Sequence, residues 1–542
     1  MLWNRKSVKM KIVIKIKAIA GIVLFLFTVS ASSQVVNEET FKIGRTLGLI
    51  DAYYVDSADL GSLTEKAIIE VLKNLDPHST YISAKDVKDM NEPLNGNFEG
   101  IGIQFNLLHD TIIIIEPIAG GPSEKVGLKA GDRILTIDKE KVSGINITTA
   151  GVRSRLMGAK GTKVNINVLR RGEKELLDFT IIRDKIPIYS LDASYMLNKE
   201  TGYIKLNKFA ATTDKEFSDA VATLRKNNMQ SLILDLRGNG GGYMLAATAL
   251  ADKFFSDRKL LVYLTGRKTP RQDHNSTGNG VLASAHVVVL TDEGSASASE
   301  ILAGALQDWD RAVILGRRTF GKGLVQNGFY LSDGSMIRLT IARYYTPSGR
   351  SIQSTYQDGY EKYMENFYKR YTDGEMMSAD STHFLDSLKY KTLVNNRIVY
   401  GGGGIMPDVF VGIDTSFNSA YFRKLAGKNV LNSFALEFFD KSRTSLTGRY
   451  KTFDDFKKKF SFSPDDEKAF IAKGEAEGGV FDEKQFNISK DEIFLILKGL
   501  IASNIWQVSE YYQIINQNDN VIDRALKVIS DSKGYNTILG YK

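Results

Sequence analysis

At 542 residues, 43% hydrophobic and 25% charged, the chain is too long for one core and suggests roughly three or four domains of ordinary globular composition. The absence of cysteine excludes disulfides, thiolate metal sites, thiol catalysis and a lipid anchor on an N-terminal cysteine. The formal charge of +8 is weak support for nucleic-acid binding, because six of those charges sit on Arg5, Lys6, Lys9, Lys11, Lys15 and Lys17 in a leader without acids.

The leader continues into an apolar run at 18–29, short of the ~20 residues needed to cross a bilayer. Val29-Ser30-Ala31 or Ala31-Ser32-Ser33 offers small residues for cleavage. Residues 1–33 therefore read as a secretory signal, with an uncleaved anchor as the alternative. The expected location is periplasmic or otherwise exported, membrane-associated if the leader is retained.

Residues 34–97 have helical spacing, with Asp76-Pro77 ending the second apolar run. Residues 98–184 change to short strands: 101–107, 111–116, 133–137, 163–170 and 176–182, with short helices at 123–127 and 148–156. Between 185 and 412 strands and helices alternate. Strand 202–209 precedes helix 214–226, for which Thr213-Asp214 offers a cap. Strand 231–236 enters Gly240-Gly241-Gly242 and a helix to about 255. Strand 286–290 precedes helix 298–309, and strand 312–315 follows. Residues 331–335 read as a hairpin turn before strand 337–345. Such alternation predicts a multidomain α/β protein. Residues 354–400 read as a surface helical insertion, and 413–542 as a helical extension.

Chemistry concentrates in Gly294-Ser295-Ala296-Ser297-Ala298-Ser299-Glu300 and Thr319-Phe320-Gly321-Lys322-Gly323. A serine hydroxyl needs a base. His286 lies in an apolar, strand-like run and His78 follows Asp76-Pro77. His109, His274 and His383 fall in turns or loops, and none has a triad context. A lysine base must be neutral, which needs burial or nearby positive charge. Local sequence leaves the roles open. Ser297-Ala298-Ser299-Glu300 also fits a helix capping box, the commoner origin of that pattern. Lys322 also fits a surface lysine in a glycine turn, and Ser295, Ser297 and Ser299 compete as nucleophile. Ala298 N–H, at a helix start, and the glycine run are candidate oxyanion donors. No phosphate-binding pattern and no carboxylate pair for polysaccharide hydrolysis is present.

In order, Leu75-Asp76-Pro77-His78-Ser79, Gly100-Ile101-Gly102-Ile103, Asp235-Leu236-Arg237, the serine and lysine segments with Gln326, Thr346-Pro347-Ser348-Gly349-Arg350 and Ile405-Met406-Pro407-Asp408 resemble the C-terminal processing peptidases, or tail-specific proteases. The resemblance implies a helical N-terminal region, a PDZ domain at 98–184, an α/β Ser-Lys protease core at 185–412 and a helical C-terminal extension. It implies Ser297 as nucleophile, Lys322 as base and Gln326 as its orienter. Ala298 and Gly241 or Gly242 would be the oxyanion donors, and Gly100, Ile101, Gly102 and Ile103 the carboxylate-binding loop. It further implies unstructured protein C-termini as substrates and no cofactor or metal, and leaves room for an adaptor and a homodimer. A non-catalytic peptide-binding scaffold is the alternative. Gly238-Asn239-Gly240-Gly241-Gly242 departs from the family's Asn-Asn-Pro-Gly-Gly, and neither the insertion nor the extension receives a role.

Overall fold

The computed structural model describes residues 38–382 and 384–541; the expected leader and His383 lie outside them. Residues up to Leu72 form one compact unit and Lys73–Lys542 another. The first holds helix Glu38–Tyr53 and helix Leu60–Lys73, which ends at the boundary.

The helical expectation then meets an exception, strand β1 (Thr80–Ile82). The Asp76 carboxylate accepts the N–H groups of His78 and Ser79 at 2.8 and 2.9 Å and the Ser79 hydroxyl at 2.6 Å. That side-chain turn reverses the chain into β1. Helix Ala84–Asn95 follows, capped by the Ser83 hydroxyl.

The next module contains β2 (Asn97–Gly100), β3 (Ile103–Leu108), β4 (Thr111–Pro117), β5 (Arg133–Ile137), β6 (Glu140–Lys141), β7 (Lys163–Leu169), β8 (Leu177–Ile182) and β9 (Asp184–Pro187), with helices Pro122–Lys125 and Thr149–Leu156. The sheet runs β3-β4-β5-β7-β8 with β6 on β5, and among the described residues no strand pairs with the free edge of β3. β2 pairs separately with β9. Ile112, Ile114, Ile134, Val152, Val164, Ile166 and Ile181 fill the core. The strand expected to start at Ile101 starts at Ile103, because Gly102 adopts φ +73° and separates β2 from β3. β6 and β9 were not legible in the sequence pattern.

The central domain is built on β10 (Leu191–Met196), β11 (Thr201–Leu206), β12 (Ser231–Asp235), β13 (Leu260–Thr265), β14 (Gln272–Asn275), β15 (His286–Thr291), β16 (Val313–Gly316), β17 (Leu324–Tyr330), β18 (Met336–Tyr345), β19 (Lys389–Lys391), β20 (Ile398–Tyr400) and β21 (Val409–Phe410). The main sheet is β10-β11-β12-β15-β16-β21, parallel except for β10 on β11. One face packs Ile204, Leu232, Leu234, Val287 and Val289 against helices Thr213–Lys226, Met244–Asp252 and Ala298–Asp308. The other packs Tyr203, Ile233, Val288, Leu290 and Leu315 against Val521, Ile522, Ala525, Val528 and Ile529 of helix Asn520–Ser530. Burial on both faces explains the continuous apolar strands. The Thr213-Asp214 cap is not formed as expected. Thr212 holds the cap position without a side-chain bond, while Thr213 Oγ1 accepts Ala210 N–H at 2.8 Å.

A second, antiparallel sheet places β18 against β1, β13 and β17. The turn expected at 331–335 closes the β17–β18 hairpin, with Leu331 N–H on the Ser335 carbonyl at 2.8 Å. The insertion departs from the helical expectation. Among its described residues helix Tyr360–Thr372 is the one α-helix, and a β19–β20 hairpin ends the insertion. Nor is it confined to the surface, since Arg370 is buried and donates to the carbonyls of Arg318 and Thr319 at 2.7 and 3.0 Å.

The extension is helical from helix Ala420–Gly427 to helix Ser532–Ile538. Its first part has its own aromatic core of Phe434, Phe439, Phe456, Phe470 and Phe486. Leu436 packs on Leu108, Ile113 and Ile115 of β3 and β4, and Asp440 pairs with Arg133 at 2.6 Å.

Candidate active site

β15 delivers the chain to a tight turn before helix Ala298–Asp308, and that turn separates the three candidate serines. Ser295 is buried and its hydroxyl reaches the Leu236 carbonyl at 2.8 Å. Ser299 is buried and donates to the Asn239 carbonyl at 2.8 Å. Both hydroxyls are satisfied structurally. Ser297 is half-buried and adopts φ 55°, ψ −111°, a conformation that costs a non-glycine residue about 1–3 kcal/mol.

The expected capping box joins Ser297 and Glu300, but on the Ser297 side the approach of the Glu300 N–H falls short of a hydrogen bond to the hydroxyl. Glu300 Oε2 accepts the Ser297 N–H at 2.8 Å. Glu300 N–H points to the Ser297 carbonyl at 2.9 Å, and the Ser297 hydroxyl makes no cap hydrogen bond. The hydroxyl is thus available for chemistry. The neighbouring Ala298 N–H precedes the first intrahelical acceptor and is one of the helix's orphan donors.

Glu300 is fully buried and serves more than its own helix. It also accepts Thr319 Oγ1–H at 2.6 Å, Gly321 N–H at 2.7 Å and Lys322 N–H at 2.9 Å. Burial pushes its carboxyl up to about 7, opposed by these donors. The Tyr344 hydroxyl adds a second tie, reaching the carbonyls of Ser297, at 3.0 Å, and Lys322. The serine turn and the lysine loop are therefore held together through shared partners.

Lys322 is not a surface lysine. Its ammonium lies largely out of water, and burial, then the Arg338 guanidinium, lower its pKa to about 8 against the opposing Glu300 and Asp76 charges. Lys322 Nζ donates to Gln326 Oε1 at 3.1 Å, the contact expected of that pair. His78 was assigned no role in the sequence, yet it lies close enough to Lys322 to be influenced by its charge. Burial first, then Lys322, pushes it down to about 4, and its ring is 3.3 Å from the Tyr363 hydroxyl. Arg338 on β18 was also missed. Its position next to Lys322 follows from strand pairing and has no local signature.

The other described histidines stay apart from this cluster. His286 stacks on Tyr535 at 4.5 Å, and the exposed His109 faces Glu437. His274, expected in a turn or loop, lies in β14.

The glycine loop faces the serine. A Cβ on Gly241 would lie 2.8 Å from Ser297 Cβ and 3.0 Å from Ala298 N, and φ is +101°. Its expected oxyanion role meets a competitor, because Gly241 N–H is donated to Asn239 Oδ1 at 2.9 Å. Gly242 forms a bridge with Phe209.

In the expected carboxylate-binding loop, Gly100 ends β2 and Ile103 begins β3. Ile101 is buried, and its carbonyl accepts both N–H and hydroxyl of Ser123 at 3.1 and 2.6 Å. The Gly102 carbonyl accepts Ile118 N–H at 3.0 Å. This loop therefore opens directly onto the free edge of β3.

Residues 200–360 match peptidase family S41, residues 100–181 match the PDZ domain, and residues 421–507 match a family of unknown function. The carboxy-terminal processing protease CtpA of Bacillus subtilis (strain 168) is 30% identical over 415 residues, 72% of this chain and 87% of that protein. CtpB of the same organism is 36% identical over 314 residues, 57% of this chain and 65% of that protein. A solved photosystem II D1 C-terminal processing protease is 30% identical, covering 59% of this chain and 85% of that one, with a TM-score of 0.34.

Proposed function

The chain belongs to the carboxy-terminal processing proteases of peptidase family S41, serine-type peptidases with a PDZ domain, and on that footing we propose a Ser297–Lys322 dyad acting on the C-terminal tails of exported, unfolded proteins. The observation that carries the dyad is the free hydroxyl of the strained Ser297, tied through Glu300 and Tyr344 to a desolvated Lys322.

Neutral Lys322 takes the Ser297 proton as Oγ attacks the scissile carbonyl. Gln326 Oε1 fixes the direction of the amine. The oxyanion falls to Ala298 N–H at the helix start, with Gly241 or Gly242 as the second donor. The resulting Lys322 ammonium protonates the leaving amine, and water then releases the acyl group. Loop 100–103 holds the tail's carboxylate while the tail pairs with the free edge of β3. The basic leader supports export as the setting.

The test is wild type against Ser297→Ala on an unfolded reporter protein, with phosphonate labelling read by mass spectrometry. The proposal expects turnover and a Ser297 adduct in wild type and neither in the variant. Undiminished turnover in Ser297→Ala would remove Ser297 from the mechanism. Tail binding without turnover or adduct in wild type would favour a scaffold.

A further inference from the structure

We infer that Asp519, in the C-terminal extension, is a positioning residue for the catalytic loop at 237–241, so that the extension completes the active site. The inference rests on the peptidase reading above. Neither the S41 match, ending at residue 360, nor the unknown-function match, ending at 507, includes Asp519.

β12 ends on Asp235, a fully buried carboxylate. Lys205 Nζ lies 3.2 Å and Arg237 Nη2 2.6 Å from its oxygens, and the Tyr203 hydroxyl donates at 2.8 Å. Two cations on one anion leave an uncompensated positive charge beneath the loop. Asp519 Oδ2 lies 2.8 Å from Arg237 Nη1 and balances the cluster at two cations and two anions. Asp235 already holds Arg237 through its backbone N–H at 2.9 Å and its Nε at 3.1 Å; Asp519 takes the remaining Nη1 and supplies the anion without which the cluster keeps a costly unbalanced charge.

Asp519 is itself fixed. Its Oδ1 caps helix Asn520–Ser530 through Val521 and Ile522 N–H at 2.8 and 3.2 Å, and this helix covers one face of the main sheet. A second contact comes from Asn516, which donates to the Tyr195 hydroxyl at 2.8 Å, and the Tyr195 ring lies 5.1 Å from that of Tyr203. The extension thus supports Asp235 and Arg237 from two sides.

Beyond Arg237 the loop binds the serine turn directly. Gly238 N–H donates to Asp292 Oδ1 at 2.8 Å, and the Asn239 carbonyl accepts Ala296 N–H at 3.0 Å and the Ser299 hydroxyl at 2.8 Å. Movement of Arg237 is therefore passed to both walls of the site.

Asp519→Asn in the full chain isolates the charge, because asparagine caps helices about as well as aspartate. The expected result is a fall in kcat of about tenfold or more on an unfolded reporter protein, since small misplacements cost up to about a hundredfold. KM should stay within about twofold, and phosphonate labelling of Ser297 should slow in parallel. Asp519→Glu should restore part of the rate. Asp523→Asn, an exposed charge on the same helix, should leave it unchanged. Wild-type kcat and labelling in Asp519→Asn would overturn the inference alone, as would a fall in Tm with unchanged kcat per folded molecule. No labelling of the wild-type protein would overturn the Ser297 assignment and this inference with it.

Discussion

The backbone N–H groups of Ser297 and Lys322 donate to the same oxygen, Oε2 of Glu300, at 2.8 and 2.9 Å. One buried carboxylate therefore sets the start of helix Ala298–Asp308 and the lysine loop relative to each other. A glutamate that reads locally as half of a capping box joins two segments 22 residues apart.

Ser297 should behave oppositely in stability and activity. Its φ of 55° is relieved by glycine but not by alanine. Ser297→Gly should be inactive and more stable than Ser297→Ala by about 1 kcal/mol. Because the hydroxyl makes no cap bond, Ser297→Ala should melt close to wild type. Calorimetry and a cleavage assay check both.

Turnover should rise with pH through about 8, the value to which burial and Arg338 lower Lys322. His78, pushed down to about 4, is already neutral there and does not set this limb. Between about 8 and the ordinary 10.5 the unfolded chain binds the Lys322 proton more tightly than the folded one. Stability gains a contribution that grows with pH over that window. Lys322→Met should lose turnover and this contribution together. A pH–rate profile and denaturant melts at several pH values measure them.

Arg338 bears a partly buried guanidinium whose Nε has no hydrogen-bond partner among the described residues. Among Arg338, Glu300, Asp76 and His78, the charged or titratable groups around Lys322, it is the cation that favours the neutral amine. Arg338→Met should move the rising limb of the pH–rate profile to higher pH and lower kcat at pH 7. An unchanged midpoint would count against this role.

Gly102 tests the tail-binding loop. A Cβ there would lie 2.8 Å from Ile186 Cδ1, at a φ of +73°. Gly102→Ala should raise KM for tail-bearing proteins and destabilise the module by about 1 kcal/mol or more. Cleavage of short peptides that do not reach the PDZ domain should change little.

Much of this protein follows from local sequence. Continuous apolar runs placed β11, β12, β15 and β16, because both faces of these strands are buried. The motif order nominated Ser297, Lys322 and Gln326, and the last two are in contact. What local pattern could not decide depends on long-range burial and pairing. β1 is only three residues long and exists because β18 receives it. Ser295 and Ser299 look equivalent to Ser297 until the carbonyls of Leu236 and Asn239 take their hydroxyls. Lys322 becomes a plausible base only where tertiary packing removes water and sets Arg338 beside it. Asp519 meets Arg237 across 282 residues of sequence. The chain alone thus nominated the groups proposed for the chemistry; only the folded interior decided their charge, their freedom and the partners that hold them.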